Sequence, residues 1–344
     1  MTADFISRIP KIDLHLHLEG SLPGRTLARL ASRHHLPVPD PRRFEGFGGF
    51  LKAFGAICDL LVDADDFETA ASDLFEEARR LGVIHVEVLF SPQIHMRRGV
   101  SLASIMGGLL RARHSAMRAP GFSAVFIADG VRQWGSEWFE QVVAALAPWA
   151  GRGLAGIGVG GDERSIPARA FTRAFRRARA MGLHTTIHAG EADGPASVFD
   201  AITHLHVERI GHGFRAAEDP DLVELLRRRG IALELCPTSN VATGLIPSIE
   251  EHPARALYDA GALTTINTDD GAFFDTNIEK ELRLAHERLK FTREEVRQML
   301  FHSAGAAFIA GTERRRLARE IRRVSDGAMT TKGGLPRKVS SRRP

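Results

Sequence analysis

Two histidines stand one residue apart in Asp13-Leu14-His15-Leu16-His17-Leu18-Glu19-Gly20, near the start of a 344-residue chain. Ile12, Leu14, Leu16 and Leu18 alternate with Asp13, His15, His17 and Glu19, the period of a β-strand. Side chains two apart on a strand share a face, so His15 and His17 can offer both imidazoles to one metal ion, and Gly20 permits a sharp turn beyond them. The pair would equally serve as a hydrogen-bonded polar layer inside a barrel. Four further stretches bear on the choice. His188-Ala189-Gly190-Glu191, Gly211-His212-Gly213, Cys236-Pro237-Thr238-Ser239-Asn240 and Thr268-Asp269-Asp270 each close a short strand-like run. A core histidine or a helix cap explains one such end, but not five that converge on one face.

His15, His17, His188 and Asp269 assemble three imidazoles and a carboxylate with a position left for water. That donor set suits catalytic Zn2+, although Fe2+, Co2+ and Mn2+ accept the same donors. One ion is expected, because no lysine between Lys52 and Lys280 is there to bridge a second. Such an ion brings the pKa of a bound water toward neutrality. Glu191, three residues past a ligand, is placed to protonate a ring nitrogen of a substrate over the ion, provided partial burial keeps it protonated. His212 is placed to take a proton from the attacking water or to hold that water in line. Asp270 faces substrate or water, or caps a helix. His85 and Glu87 share a strand face and read as barrel filling, and Cys236 as a buried thiol. In Gly160-Gly161-Asp162-Glu163 the paired glycines allow a flat ligand close to the backbone.

The elements that must position these groups follow a rhythm. Strand-like runs are expected at 12–18, 83–90, 122–128, 154–159, 183–188, 207–211, 231–236 and 263–268, with helical patterns between them. Eight such alternations favour a closed (β/α)8 TIM barrel, whose reactive groups collect at the carboxyl ends of its strands. After the first strand, a helix at 23–33 is followed by Phe44, Phe47, Leu51, Phe54, Cys58 and Leu61 at helical spacing. This helical insertion is either extra core or an apolar lid over the mouth. Extra helices are expected near 277–289 and 292–308. Residues 1–325 read as one barrel domain, and 326–344 as a basic, disordered tail with little to bury.

Composition narrows the class. Hydrophobic residues at 44% and charged residues at 26% describe an ordinary soluble protein. No run of apolar residues is long enough for a transmembrane helix, and the opening residues lack the pattern of a signal peptide. Two cysteines exclude a disulfide framework and fit a reducing, cytoplasmic setting. The net charge of +4 divides unevenly: from Glu313 onward eleven Arg or Lys oppose three Asp or Glu, leaving the rest of the chain mildly acidic. No recognition motif accompanies the basic end, so nucleic acid is not an expected partner. The oligomeric state is left open.

Taken together, Leu14-His15-Leu16-His17-Leu18-Glu19-Gly20-Ser21, Gly161-Asp162-Glu163, His188-Ala189-Gly190-Glu191, Arg209-Ile210-Gly211-His212-Gly213, Cys236-Pro237-Thr238-Ser239-Asn240 and Asn267-Thr268-Asp269-Asp270 resemble the motifs of the adenosine deaminase family. The resemblance runs from about Pro10 to Ala310. It implies a one-metal, zinc-dependent barrel hydrolase that removes the 6-amino group of a purine. His15, His17, His188 and Asp269 look like the family's zinc ligands. Glu191 looks like the group that protonates N1, and His212 like the one that orients and deprotonates the water. Asp270 resembles the carboxylate facing N7, and the Gly161 N–H the contact to N3. Glu19 stands where the vertebrate-type enzymes have an Asp that reaches the ribose 5′-hydroxyl. Gly271 replaces a common proline, a change that could loosen the loop that holds Asp270 and whose effect the sequence leaves open. Adenosine is the leading expected substrate, with aminodeoxyfutalosine and adenine as the alternatives. An inactive metal-binding scaffold is the rival from another class.

Overall fold

The structure is a computed structural model and describes residues 4–44 and 46–329. The described residues form eight parallel strands: β1 Lys11–His17, β2 Val83–Phe90, β3 Ser123–Val131, β4 Leu154–Gly160, β5 in two pieces (His184–Thr185 and His188–Ala189), β6 Arg209–His212, β7 Ala232–Leu235 and β8 Leu263–Ile266. Each pairs in parallel with its sequence neighbour. Strand β5 divides the ladder in two, yet Thr186 N–H still donates to Ile157 O on one side and Ile187 O accepts from Gly211 N–H on the other. The seam between β8 and β1 is closed at the site itself. Asp269 N–H donates to His15 O (2.8 Å), and His17 N–H to Asp269 O (3.2 Å). Asn267 Oδ1 accepts from Leu14 N–H at 3.0 Å. The result is the (β/α)8 barrel that the alternation implies.

Strands buried on both faces explain why the runs read as nearly continuous apolar sequence. Two expectations shift. The third strand runs past 128 to Val131, which moves Asp129 from a loop onto the barrel. The insertion holds a second long helix, Ala64–Arg80, which the hydrophobic spacing alone did not single out. Its start was legible as Asp63 and Asp66, which form a capping box.

The insertion's first helix, Gly46–Cys58, lies across the barrel mouth. Phe50 and Phe54 meet Phe273 at ring centroids of 5.0 and 6.1 Å, so the helix packs on the loop after β8. The Phe47 and Leu51 side chains, part of the expected stripe, lie outside the described residues. At the far end the helix Gly311–Met329 buries Leu317 and Ile321 against the barrel, so its basic residues begin as a docked helix that passes the expected boundary at 325. Residues 330–344 of the expected tail lie outside the described residues. Among the described residues no helix is long and apolar enough to cross a membrane.

Candidate active site

The strand ends deliver their side chains to one point. His17 Nε2 lies 3.3 Å from His188 Nε2 and 3.4 Å from Asp269 Oδ1. His15 Nε2 is 3.5 Å from the same Asp269 oxygen, is buried, and has no hydrogen-bond partner. Buried polar atoms are normally paired, so an unpaired ring nitrogen beside two further imidazoles and a carboxylate marks a place for a cation. One ligand atom each of His15, His188, His212 and Asp269 also falls within 4.8 Å of the others.

The electrostatics agree. Burial pushes His17 down to about 4 and holds His188 well below the usual imidazole range, so both present lone pairs. Burial works against charge on Asp269, but the imidazoles of His15, His212 and His17 outweigh it and keep the carboxylate ionised. Burial likewise opposes a proton on His15, yet Asp269 and Glu234 hold it well above its ordinary value, so a proton and a cation compete for that spot. The residues fit a divalent ion.

The surroundings fix these side chains. His15 Nδ1 donates to Glu234 Oε2 at 2.8 Å, which leaves Nε2 for the ion. Glu234 is itself held by the buried guanidinium of Arg209, which also reaches Glu87 Oε2 at 2.7 Å. His85 Nε2 reaches Glu87 Oε1 at 3.2 Å, so that pair fills the barrel interior as expected. His212 and Asp269 sit in the left-handed region, at φ of 57° and 66°. Such a backbone is unfavourable for these residues and is tolerated where surrounding structure enforces it.

Glu191 and Asp270 flank the cluster. Glu191 Oε1 lies 3.6 Å from His212 Nε2, and its side chain is 16% exposed. Burial, reinforced by Asp269 and Glu163, pushes it up to about 8. Asp270 is buried with Oδ1 unpartnered, and burial and the neighbouring Asp269 carboxylate raise its pKa well above the carboxylate range. An unpartnered oxygen argues against a capping role for this side chain.

Gly20 acts through space rather than through a turn: a Cβ there would stand 1.5 Å from Asp270 Oδ1. Gly271 does not loosen its loop. Its N–H donates to Ser21 Oγ at 3.2 Å, a bond a proline cannot make, and Ser21 Oγ donates in turn to Asp269 O at 3.0 Å.

The cavity over the cluster measures about 240 Å³ and is lined by Glu191, His212, Asp270 and Gly161 beneath Phe50, Phe54 and Trp134. A larger cavity of about 630 Å³ lies on the barrel's flank and is lined by none of these histidines nor by Asp269. Glu19 was expected to reach a ribose hydroxyl. It does not line the site cavity; Oε1 accepts from Ser91 N–H (3.0 Å) and from His95 Nε2 (2.8 Å). Its other oxygen, Oε2, is buried with no hydrogen-bond partner.

Two residues were missed. Glu163 accepts four backbone N–H groups, from Gly190, Glu191, Ala192 and Asp193 at 2.6 to 3.0 Å, and so shapes the turn that carries Glu191. The cue was there, a Glu beside a glycine pair, but its partners lie 27 to 30 residues away. Asp129 lines the cavity from β3 with Oδ1 buried and unpartnered, in space left by Gly158 and Gly160. Replacing Glu163 with Gln turns one acceptor into a donor facing N–H groups. Turnover is expected to fall roughly tenfold to a hundredfold, the usual effect of losing such a supporting partner, with metal content unchanged. Steady-state rates and elemental analysis check this, and an unchanged rate would show that the turn holds itself.

Comparison with known proteins agrees with this geometry. The family model described as adenosine deaminase matches residues 10–324. The chain is 34% identical over 328 residues to an adenine deaminase of Cupriavidus necator, covering 93% of each chain. It is 35% identical over 295 residues to an aminodeoxyfutalosine deaminase of Acidothermus cellulolyticus, covering 81% of this chain and 83% of the relative. A crystal structure of an amidohydrolase from Burkholderia ambifaria with bound Zn superposes with a TM-score of 0.87 at 27% identity, over 95% of this chain and 94% of the other. The strand-end histidines, the paired aspartates and the glutamate beside them thus sit in a chain that belongs to the adenosine deaminase family.

Proposed function

We propose that the chain hydrolyses the 6-amino group of a purine, releasing ammonia, and that free adenine is preferred over adenosine. His15, His17, His188 and Asp269 would hold one Zn2+, which when bound supplies an activated water. The remaining work falls to the chain's own side chains. Glu191, kept protonated by burial, donates to a purine ring nitrogen as the water adds at C6. Asp270, neutral for the same reason, donates to the imidazole side of the purine. The Gly161 backbone, at φ 94°, and the aromatic rings above hold the flat base and keep bulk water out.

The observation that carries the preference is Glu19. The group expected to meet a ribose hydroxyl does not line the cavity, and its Oε1 is bound to His95 and Ser91. No Lys or Arg lines the cavity among the described residues, which disfavours a 5′-phosphate. A second reading, aminodeoxyfutalosine deamination, is favoured by Arg97, whose guanidinium sits 5.0 Å over the rim residue Trp134 and could pair with that substrate's carboxylate.

The test is ammonia release by zinc-loaded protein from adenine, adenosine, 2′-deoxyadenosine and aminodeoxyfutalosine. Adenine should give a kcat/KM at least tenfold above adenosine, a difference of about 1.4 kcal/mol in transition-state binding. Equal or greater rates with adenosine overturn the preference. Release from aminodeoxyfutalosine alone selects the second reading, and silence on all four selects the inactive scaffold.

A further inference from the structure

Behind His212 runs a hydrogen-bond chain whose direction is set by a backbone amide. Ala254 N–H donates to His252 Nδ1 at 3.1 Å. A backbone N–H can only donate, so Nδ1 is the unprotonated nitrogen of a neutral ring and His252 Nε2 carries the hydrogen. That nitrogen lies 3.2 Å from the side-chain amide of Asn240, whose facing atom must therefore be the oxygen, Oδ1. The other end of the same amide, Nδ2, then faces His212 Nδ1 at 3.2 Å and Glu191 Oε1 at 3.5 Å. An amide nitrogen donates, so His212 Nδ1 accepts and its proton sits on Nε2. All three residues are buried: Asn240 and His212 are 0% and 1% exposed, and His252 is 4%. Asn240 comes from the helix Pro237–Ala242 after β7, and His252 follows the short turn Ile249–Glu251.

We propose that His252 and Asn240 are positioning residues that lock His212 in the Nε2–H tautomer, so that His212 holds the attacking water by a donated hydrogen bond and does not deprotonate it. This rests on the reading of the site as a deaminase centre and revises the role that the family resemblance implies for His212. The nitrogen concerned points at the reacting corner, 3.6 Å from Glu191 Oε1 and 3.9 Å from Asp269 Oδ2. With Nε2 already protonated, the water's proton passes to Glu191 once that acid has given its own proton to the ring nitrogen, and Glu191 then delivers it to the departing amine. One carboxyl thus serves all these transfers, and Asn240 Nδ2, within 3.5 Å of Glu191 Oε1, steadies both partners.

The tautomer can be read without any turnover, from the histidine ring ¹⁵N shifts of the zinc-loaded protein. His212 Nδ1 should show the shift of an unprotonated ring nitrogen and Nε2 that of a protonated one. The reverse pattern overturns the proposal whether or not the protein deaminates purines, and a correct pattern in a protein inactive on every purine faults the functional reading alone. Variants supply the second arm. Replacing His252 with Leu removes the donor that orients Asn240, so His212 should populate both tautomers and kcat should fall roughly tenfold to a hundredfold, the usual effect of losing such a partner, with KM little changed. Replacing His252 with Gln, which can both accept from Ala254 and donate to Asn240, should restore the single tautomer and most of the rate. Equal loss in the Leu and Gln variants, with His212 unaltered in both spectra, would reduce His252 to packing and overturn its assignment.

Discussion

Glu191→Gln is expected to keep its fold and its metal while losing turnover by a factor of about a hundred or more, the span associated with a positioned proton donor or acceptor. The amide is nearly isosteric with the acid and can still accept from Asn240 Nδ2. It cannot give up a proton to a ring nitrogen, and it cannot receive one from water. The pH profile carries the sign. Burial, then the charges of Asp269 and Glu163, push Glu191 up to about 8. The neutral acid is therefore present below that pH and lost above it, so wild-type kcat should fall on the alkaline side. The Gln variant should have a low, flat profile there. Ammonia release measured across pH, with zinc determined in the same samples, tests both parts. Near-normal turnover, or an alkaline limb that survives the substitution, would remove Glu191 from the proton path.

Gly20→Ala is the smallest change available and should be among the most damaging. An added methyl would stand 1.5 Å from Asp270 Oδ1, 2.4 Å from its Cγ and 2.7 Å from its Cβ. All three distances are inside contact range, and Ala has no rotamer with which to avoid them. Asp270 cannot retreat easily, since its carbonyl accepts from Phe273 and Phe274 N–H and Gly271 is tied to Ser21. Either the Asp270 carboxyl leaves the cavity, or the 269–271 segment shifts and takes Asp269 with it. A displacement of about 1 Å at such a site is enough for a hundredfold loss, and kcat/KM is expected to fall at least that far. Metal content separates the routes: retained zinc means that Asp270 alone moved, and lost zinc means that Asp269 moved too. Activity close to wild type would show that Asp270 does not need its place.

Much of this protein could be read one residue at a time. The alternation of β1 put His15 and His17 on one face, and eight apolar runs separated by helical spacing implied a closed parallel barrel. Period and run length are local properties, carried by neighbours in sequence. The site residues were legible for a related reason: in a parallel barrel every strand points the same way, so a polar residue at the carboxyl end of any strand is bound for the same mouth. His188, His212 and Asp269 could be grouped with the first pair without any distance in hand.

Contacts between side chains from distant segments could not be read this way. The Glu19 carboxylate accepts from His95, 76 residues on, and does not line the site cavity. Glu163 looks like part of a glycine loop until the 190–193 amides close around it. The glycine at position 20 answers to Asp270, 250 residues later, and not to a turn. The direction of the His252–Asn240–His212 chain is fixed by one backbone amide at Ala254. Sequence by itself determined which chemical groups reach the barrel mouth, because strand direction and period decide that. Which of them face substrate, which hold a neighbour, and which ring nitrogen carries a proton were decided only by the tertiary structure, because hydrogen bonds and steric contacts act over about 3 Å of space regardless of separation along the chain.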